Sequence, residues 1–131
     1  MAVTVSCLLD TDVSIEILRG RDAGLRARLE AERAPGISVV TRMELAYGVR
    51  RGRERDGVLA QHYLRRVETV GLDAEAADRA AEVRAILTKA GTPIGHYDTL
   101  IAGHALALAV PLVTHNLREF ERVPGLTVEL W

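Results

Sequence analysis

A short apolar run, Val3-Thr-Val-Ser-Cys-Leu-Leu9, breaks off at Asp10-Thr-Asp12, and this junction narrows the folds open to the chain more than any other feature. A run this short is far below the ~20 residues needed to cross a bilayer, yet it is too apolar to lie on a surface. It reads as a strand buried on both faces and closed by an acidic turn. No basic leader precedes it, so no targeting segment is expected.

Comparable junctions follow along the chain. Residues 13–18 and 22–33 read as helical, with Leu25 and Leu29 at i, i+4 and Arg26, Arg28, Glu30 and Glu32 on a solvated face. Ala34-Pro35-Gly36 ends that segment. Residues 37–40 form a second β-like run, after which Thr41 and Glu44 have the capping-box spacing that opens a helix through Met43, Leu45 and Val49. Beyond the charged stretch 50–56, a helix is expected over 58–66, with Leu59, Tyr63 and Val67 on one stripe. A very short third strand over 70–72 comes next. Residues 74–89 are alanine-rich and helical, stopped by Gly91-Thr-Pro93. Residues 98–109 are nearly all small or apolar, so this helix should be enclosed on most sides until Pro111 ends it. Residues 112–114, 116–120 and 126–130 complete the order as strand, helical turn and edge strand. Strands alternating with helices, without hairpin signals, imply an α/β fold: a parallel central sheet with helices on both faces.

With 131 residues, 48% of them hydrophobic and 27% charged, the chain suits a single domain spanning 1–131. Aromatics make up only 4%, so surfaces for stacking bases are scarce and a π-stacking reader of RNA is disfavoured. Seventeen basic against eighteen acidic side chains give a net charge of -1. Nothing global draws such a protein to phosphate or to anionic lipid, and any nucleic-acid contact has to be local. The lone cysteine, Cys7, lies inside the first apolar run and has no second sulfur to pair with or to share a zinc ion, which suits a reducing cytoplasm.

In parallel sheets of this kind ligands gather beyond the carboxyl ends of the strands, and there the side chains are mostly acidic. Asp10 and Asp12 follow the first strand, Glu44 lies one turn into the helix after the second, Asp98 opens the enclosed helix, and Asn116 and Glu119 follow the Leu112 strand. Ionised carboxylates held together raise one another's pKa unless a cation sits among them, and all-oxygen ligation suits hard Mg²⁺ or Mn²⁺. Such an ion makes water nucleophilic, holds a phosphodiester and offsets charge on the leaving oxygen, so phosphodiester hydrolysis is the matching reaction class.

Each acid also has a plainer reading. Asp98 fits an N-cap, Glu44 the reciprocal member of a capping box with Thr41, Asp10 and Asp12 turn formers, and Glu119 a solvated surface acid. Only their joint placement points to chemistry. His62, His96, His104 and His115 lack the paired spacing of a zinc site and read as ordinary solvated or hydrogen-bonded histidines, with His96 nearest the expected site. The Arg50-Arg51-Gly52-Arg53-Glu54-Arg55 run and the Arg65-Arg66 pair fit RNA phosphates, but interleaved acids make a solvated helix face the better reading.

Leu8-Leu9-Asp10-Thr11-Asp12, Thr41-x-x-Glu44-Leu45, Tyr97-Asp98-x-x-Ile101-Ala102 and Leu112-Val113-Thr114-His115-Asn116-x-x-Glu119-Phe120 stand in an order and spacing that resemble the PIN-domain ribonucleases. Within that family the set resembles the VapC-type toxins of toxin–antitoxin pairs. The resemblance covers almost the whole chain. It implies a three-layer PIN-like fold and a Mg²⁺- or Mn²⁺-dependent endoribonuclease whose catalytic metal ligands are Asp10, Glu44 and Asp98, with a fourth polar position at Asn116. Proteins similar to this one usually carry Asn where Asp12 stands, so Asp12 is either an additional outer acid or a hydrogen-bonding substitute. Asn116 brings no charge; Glu119, one turn later, is the alternative carboxylate, and Thr114 is placed to hold a water or ligand. Arg42 and Arg118 are candidates to offset the repulsion between RNA and an acidic groove. The implied partners are structured RNA such as transfer RNA, as substrate, and a small VapB-type antitoxin whose C-terminal segment covers the groove. A homodimer or larger toxin–antitoxin assembly is implied too, with no membrane association.

Two other readings compete. Asp10-Thr-Asp12-Val-Ser14 matches the opening Asp-x-Asp of the haloacid-dehalogenase-like phosphatases. Those enzymes need a later lysine and a pair of acids after another strand, whereas the single lysine, Lys89, precedes a Gly-Thr-Pro break and no acid pair follows the Leu112 strand. A catalytically silent PIN-like module that binds RNA or a partner protein takes its support from Asn116.

Overall fold

The computed structural model describes residues 5–52 and 54–131. Val3 and Thr4 of the expected first strand, and Arg53 of the basic run, lie outside them. The elements are β1 (Cys7–Leu9), α1 (Thr11–Arg19), α2 (Ala23–Ala31), β2 (Pro35–Ser38), α3 (Val39–Arg51), α4 (Glu54–Arg66), β3 (Glu68–Val70), α5 (Ala74–Lys89), α6 (His96–Leu108), β4 (Leu112–Val113), α7 (Leu117–Phe120) and β5 (Val128–Glu129). The strands form one sheet in the order β3-β2-β1-β4-β5, with every neighbouring pair parallel. β1 lies at the centre, where Leu8 is in register with both Gly36 and Leu112.

The central position explains the unbroken apolarity of β1. Successive side chains of a strand point to opposite faces, and here both faces are covered. Leu8 packs with Val83, Leu87, Ile101 and Phe120 on one side of the sheet. Cys7 and Leu9 pack with Val13, Ile17, Leu29, Leu45 and Tyr63 on the other. Burial pushes the Cys7 thiol up to about 12, so it is an inert core residue. The result is a three-layer α/β architecture with helices on both faces.

Several boundaries differ from the sequence expectations, for identifiable reasons. The second strand stops at Ser38 rather than Val40, because the Ser38 hydroxyl accepts a hydrogen bond from the Val40 N–H at 3.1 Å and caps α3. An N-cap oxygen here outweighs the β preference of Val39 and Val40. No capping box forms between Thr41 and Glu44: Thr41 is buried inside α3. Asp98 is not an N-cap either, since α6 starts at His96 behind Gly95 with no side-chain cap bond. The third strand begins earlier, at Glu68, and α4 begins at Glu54 rather than Val58. α5 has the expected bounds, capped by Asp73 accepting from the Ala76 N–H at 2.9 Å.

Two contacts set the position of α6. Gly103 lies so close to α5 that an added Cβ would come within 2.4 Å of the Ala80 nitrogen, so the helix backbones meet directly. His104, buried in α6, has its Nδ1 2.9 Å from the Ser38 hydroxyl, which ties α6 to the start of α3. Gly103→Ala is therefore expected to destabilise the fold by about 1–3 kcal/mol through overpacking against backbone that cannot move cheaply. Gly48→Ala in α3, where nothing lies within 4 Å of the added carbon, should instead stabilise by roughly 0.5–1 kcal/mol through helix propensity. Urea midpoints of the two variants, opposite in sign, check the pair.

Candidate active site

The site starts where β1 ends. Asp10 is 3% exposed, its backbone N–H donates to the Val113 carbonyl of β4 at 3.0 Å, and its side chain caps α1. One carboxylate oxygen accepts from the Val13 N–H at 2.9 Å and the other from the Thr114 hydroxyl. Thr114 in turn accepts from the Asn116 N–H at 2.9 Å, which ties the loop after β4 to the same carboxylate. Burial raises the Asp10 pKa to about 6; the Thr114 and Val13 hydrogen bonds pull it down, and the Asp12 charge pushes it up.

Glu44 arrives from α3, one turn past the Ser38 cap. The Thr11 hydroxyl donates to its Oε1 at 2.6 Å and also lies 3.2 Å from the Thr41 hydroxyl. Thr11 is thus the residue that orients Glu44, a role the sequence reading missed. Its signal was present in the Asp-Thr step that leads directly from strand to helix. Asp98 arrives from the first turn of α6. Its pKa rises to about 7, first because the carboxyl is half-buried, then through the charge of Glu119 and a hydrogen bond with it, then through the charges of Asp10 and Glu44. Glu119 is therefore half-buried beside Asp98, not the solvated surface acid that its place in the sequence suggests.

The other candidates lie around this group. Asp12 is exposed on α1 and borders the same groove as Glu44. Asn116 is half-buried before α7, makes no side-chain cap bond, and joins the network through its backbone. Arg42 is exposed and donates to the Thr69 hydroxyl of β3 at 2.9 Å; Arg118 is exposed on α7. His96 is exposed at the start of α6, and the exposed His115 lowers the Asp10 pKa by its charge. His104 is the hydrogen-bonded core histidine described above.

At the carboxyl end of the sheet Asp98 thus feels the charges of Glu119, Asp10 and Glu44, which come from three other segments of the chain. As donors these acids suit a hard divalent cation: all are oxygens, and a cation would relieve the repulsion that adds to burial in raising the Asp98 pKa. Among the described residues, no three His, Cys, Asp or Glu side chains stand already gathered in a coordinating arrangement. The chemistry of the donors fits the ion.

Comparison with known proteins gives this arrangement a family. A PIN domain family model matches residues 7–126. The chain belongs to the PIN domain family. It is 38% identical, over 95% of its length and 96% of the relative's, to the tRNA(fMet)-specific endonuclease VapC of Salmonella typhimurium. It is 31% identical, over the same shares of the two chains, to ribonuclease VapC2 of Rickettsia felis. Its fold superimposes with a TM-score of 0.91 on DNA-bound VapBC from Salmonella typhimurium, at 36% identity and covering 98% of this chain and 99% of that one. The score is 0.90 for VapBC2 from Rickettsia felis bound to a DNA fragment from its promoter, at 30% identity and covering 95% and 98%. Membership of the PIN family removes the phosphatase reading of Asp10-Thr-Asp12.

The raised pKa values fix a sign for stability. A carboxyl with a higher pKa in the native state than in the unfolded chain holds its proton more tightly when folded, so native stability falls as pH rises from about 4 to about 7 and stays lowered above that. With metal removed by a chelator, Asp98→Asn should exceed the parent in stability at pH 8 by about 1–2 kcal/mol, since a half-exposed carboxyl keeps part of its solvent screening. The gap should close toward pH 4. Urea midpoints across that range measure it, and a gap that does not vary with pH would show that charge repulsion is not its source.

Proposed function

We propose that this protein is a divalent-metal-dependent endoribonuclease toxin that hydrolyses phosphodiesters in structured RNA, transfer RNA first among them, and is inhibited by a small VapB-type antitoxin. The observation that supports this reading best is that Asp98, half-buried at the carboxyl end of the sheet, feels the charges of Glu119, Asp10 and Glu44 from three other segments, which together with burial raise its pKa to about 7. Curated relatives bear endonuclease and ribonuclease names, and solved relatives are toxin–antitoxin complexes, which supports both the reaction and the partner.

Asp10, Glu44 and Asp98 would hold Mg²⁺ or Mn²⁺, with Glu119 supplying the carboxylate that Asn116 cannot. Once bound, the ion would activate water and offset charge on the phosphate. The protein's own contribution is orientation and proton traffic. Val13 N–H and Thr114 fix Asp10, and Thr11 fixes Glu44. Hydrolysis needs a proton acceptor and a proton donor: a proton leaves the attacking water as the new phosphorus–oxygen bond forms, and one reaches the departing ribose oxygen as the old bond breaks. No helix among the described residues is long and apolar enough to cross a membrane, and we place the reaction in the cytoplasm, in a homodimer or a larger toxin–antitoxin assembly.

The alternative, a silent PIN-like binder, rests on Asn116, and the nearness of Glu119 to Asp98 weakens it. Purified protein should cleave a transfer-RNA pool with Mg²⁺ or Mn²⁺ and stop when EDTA is added. Asp10→Asn and Asp98→Asn should each lower the rate by about 10²-fold or more, with far-UV circular dichroism confirming the fold. A wild-type protein that binds RNA but cuts none of it under these conditions is the silent module.

A further inference from the structure

Aromatic side chains are as rare as the composition says, but their placement is uneven. Phe120 and Tyr63 are buried, and Trp131 packs on the core edge with Arg28 4.5 Å from its ring centre. The remaining two, Tyr47 and Tyr97, are 59% and 51% exposed, and both border one groove of about 990 Å³ that also includes Thr11, Asp12 and Glu44. Scarce as aromatics are, the two open rings both border the groove that holds Glu44 and Asp12.

Their positions follow from the helices that carry the acids. Tyr47 is three residues beyond Glu44 on α3, so the two share a face. Tyr97 immediately precedes Asp98 at the start of α6. Arg51, one turn beyond Tyr47, lies 5.0 Å from its ring centre and borders the same groove, as does Arg19 of α1. An exposed ring braced by a guanidinium suits a flat, electron-poor partner on its open face, and a cation beside it suits a phosphate.

We propose that Tyr47 and Tyr97 form a stacking platform for unpaired nucleobases next to the scissile phosphate, with Arg51 and Arg19 holding the adjoining backbone. The proposal rests on the ribonuclease reading and deepens it by assigning the site to unpaired segments of a folded RNA. Bases inside an A-form helix are already stacked and cannot offer their faces, whereas loops and ends can. Ile15, Leu18 and Met43 in the same groove would also suit apolar side chains of a protein partner. The arginine against the Tyr47 ring, with Glu44 in the same groove and Tyr97 next in sequence to Asp98, favours RNA.

The experiment is fluorescence anisotropy of the full chain with a short, labelled, unstructured oligoribonucleotide, in chelator so that no cleavage intervenes. Tyr47→Ala and Tyr97→Ala should each weaken binding by roughly tenfold or more, the scale of one stacked base. Tyr47→Phe and Tyr97→Phe should bind like the parent, and a fully paired duplex should not discriminate between parent and alanine variants. Abasic substitutions in the oligonucleotide should erase the alanine penalty. Unchanged binding by the alanine variants, loss of binding by the phenylalanine variants, or no binding by the wild type overturns the platform. So does a result in which the alanine variants bind RNA normally but escape inhibition by the antitoxin, which would assign the rings to protein docking. A wild type that binds the oligonucleotide but cleaves no RNA with metal present overturns the nuclease reading instead.

Discussion

The structure turns on one carboxylate. Asp10 ends the central strand, caps the helix that follows, accepts a hydroxyl from the loop beyond β4, and faces the other acids of the site. A buried carboxylate costs several kcal/mol unless its oxygens are hydrogen-bonded, and here both are. Those same bonds fix the relative positions of β1, α1 and the β4 loop. The group that stabilises the junction is thus also the one the proposed chemistry would use, and its structural role could not be moved to another position without rebuilding the centre of the sheet.

The remaining carboxylates are delivered by elements whose packing has nothing to do with charge. α6 is located by the close approach of Gly103 to Ala80 and by the His104–Ser38 hydrogen bond, so the depth of Asp98 is decided by small and neutral side chains a turn or more away. Ser38 serves twice, as the cap of α3 and as the partner of His104, so the helices carrying Glu44 and Asp98 share one anchoring hydroxyl. Apolar layers on both sides of the sheet supply the stability against which the carboxylate repulsion is held. That repulsion disfavours the folded state in the absence of a cation, which is the usual trade between a pre-arranged reactive centre and maximal stability.

What could be read from the sequence follows the range of the interactions involved. β1 and α5 were legible because their signals are local: an unbroken apolar run, and an alanine-rich stretch between Asp73 and a Gly-Thr-Pro stop. Asp10 and Asp98 stand where they were expected, after the first strand and in the first turn of the enclosed helix, because those junctions are marked locally by the end of an apolar run and the start of a small-residue one. Thr41 and Glu44 misled because the capping-box spacing is also the spacing of one helical turn, and only the tertiary contact with Thr11 distinguishes the two uses. Asp98 misled in the same way, with Gly95 taking the cap position three residues earlier. Glu119 could be named only as an alternative carboxylate, and the two open tyrosines not at all, since their surroundings depend on which distant elements they meet.

A chain of net charge -1 with an acidic centre has no long-range pull on RNA, and this constrains how it can bind a polyanion at all. Affinity has to come from contacts made after encounter. In the proposed reading, cations in the cleft would neutralise the carboxylates, arginines at the groove edge would meet phosphates singly, and flat side chains would take up bases through short-range stacking. Each of these depends on geometry rather than on net charge, so each discriminates between RNAs by shape. Weak long-range attraction therefore favours selection: duplex backbone, which offers phosphates but no free base faces, gains little at such a site. A strand with splayed bases gains from every contact at once.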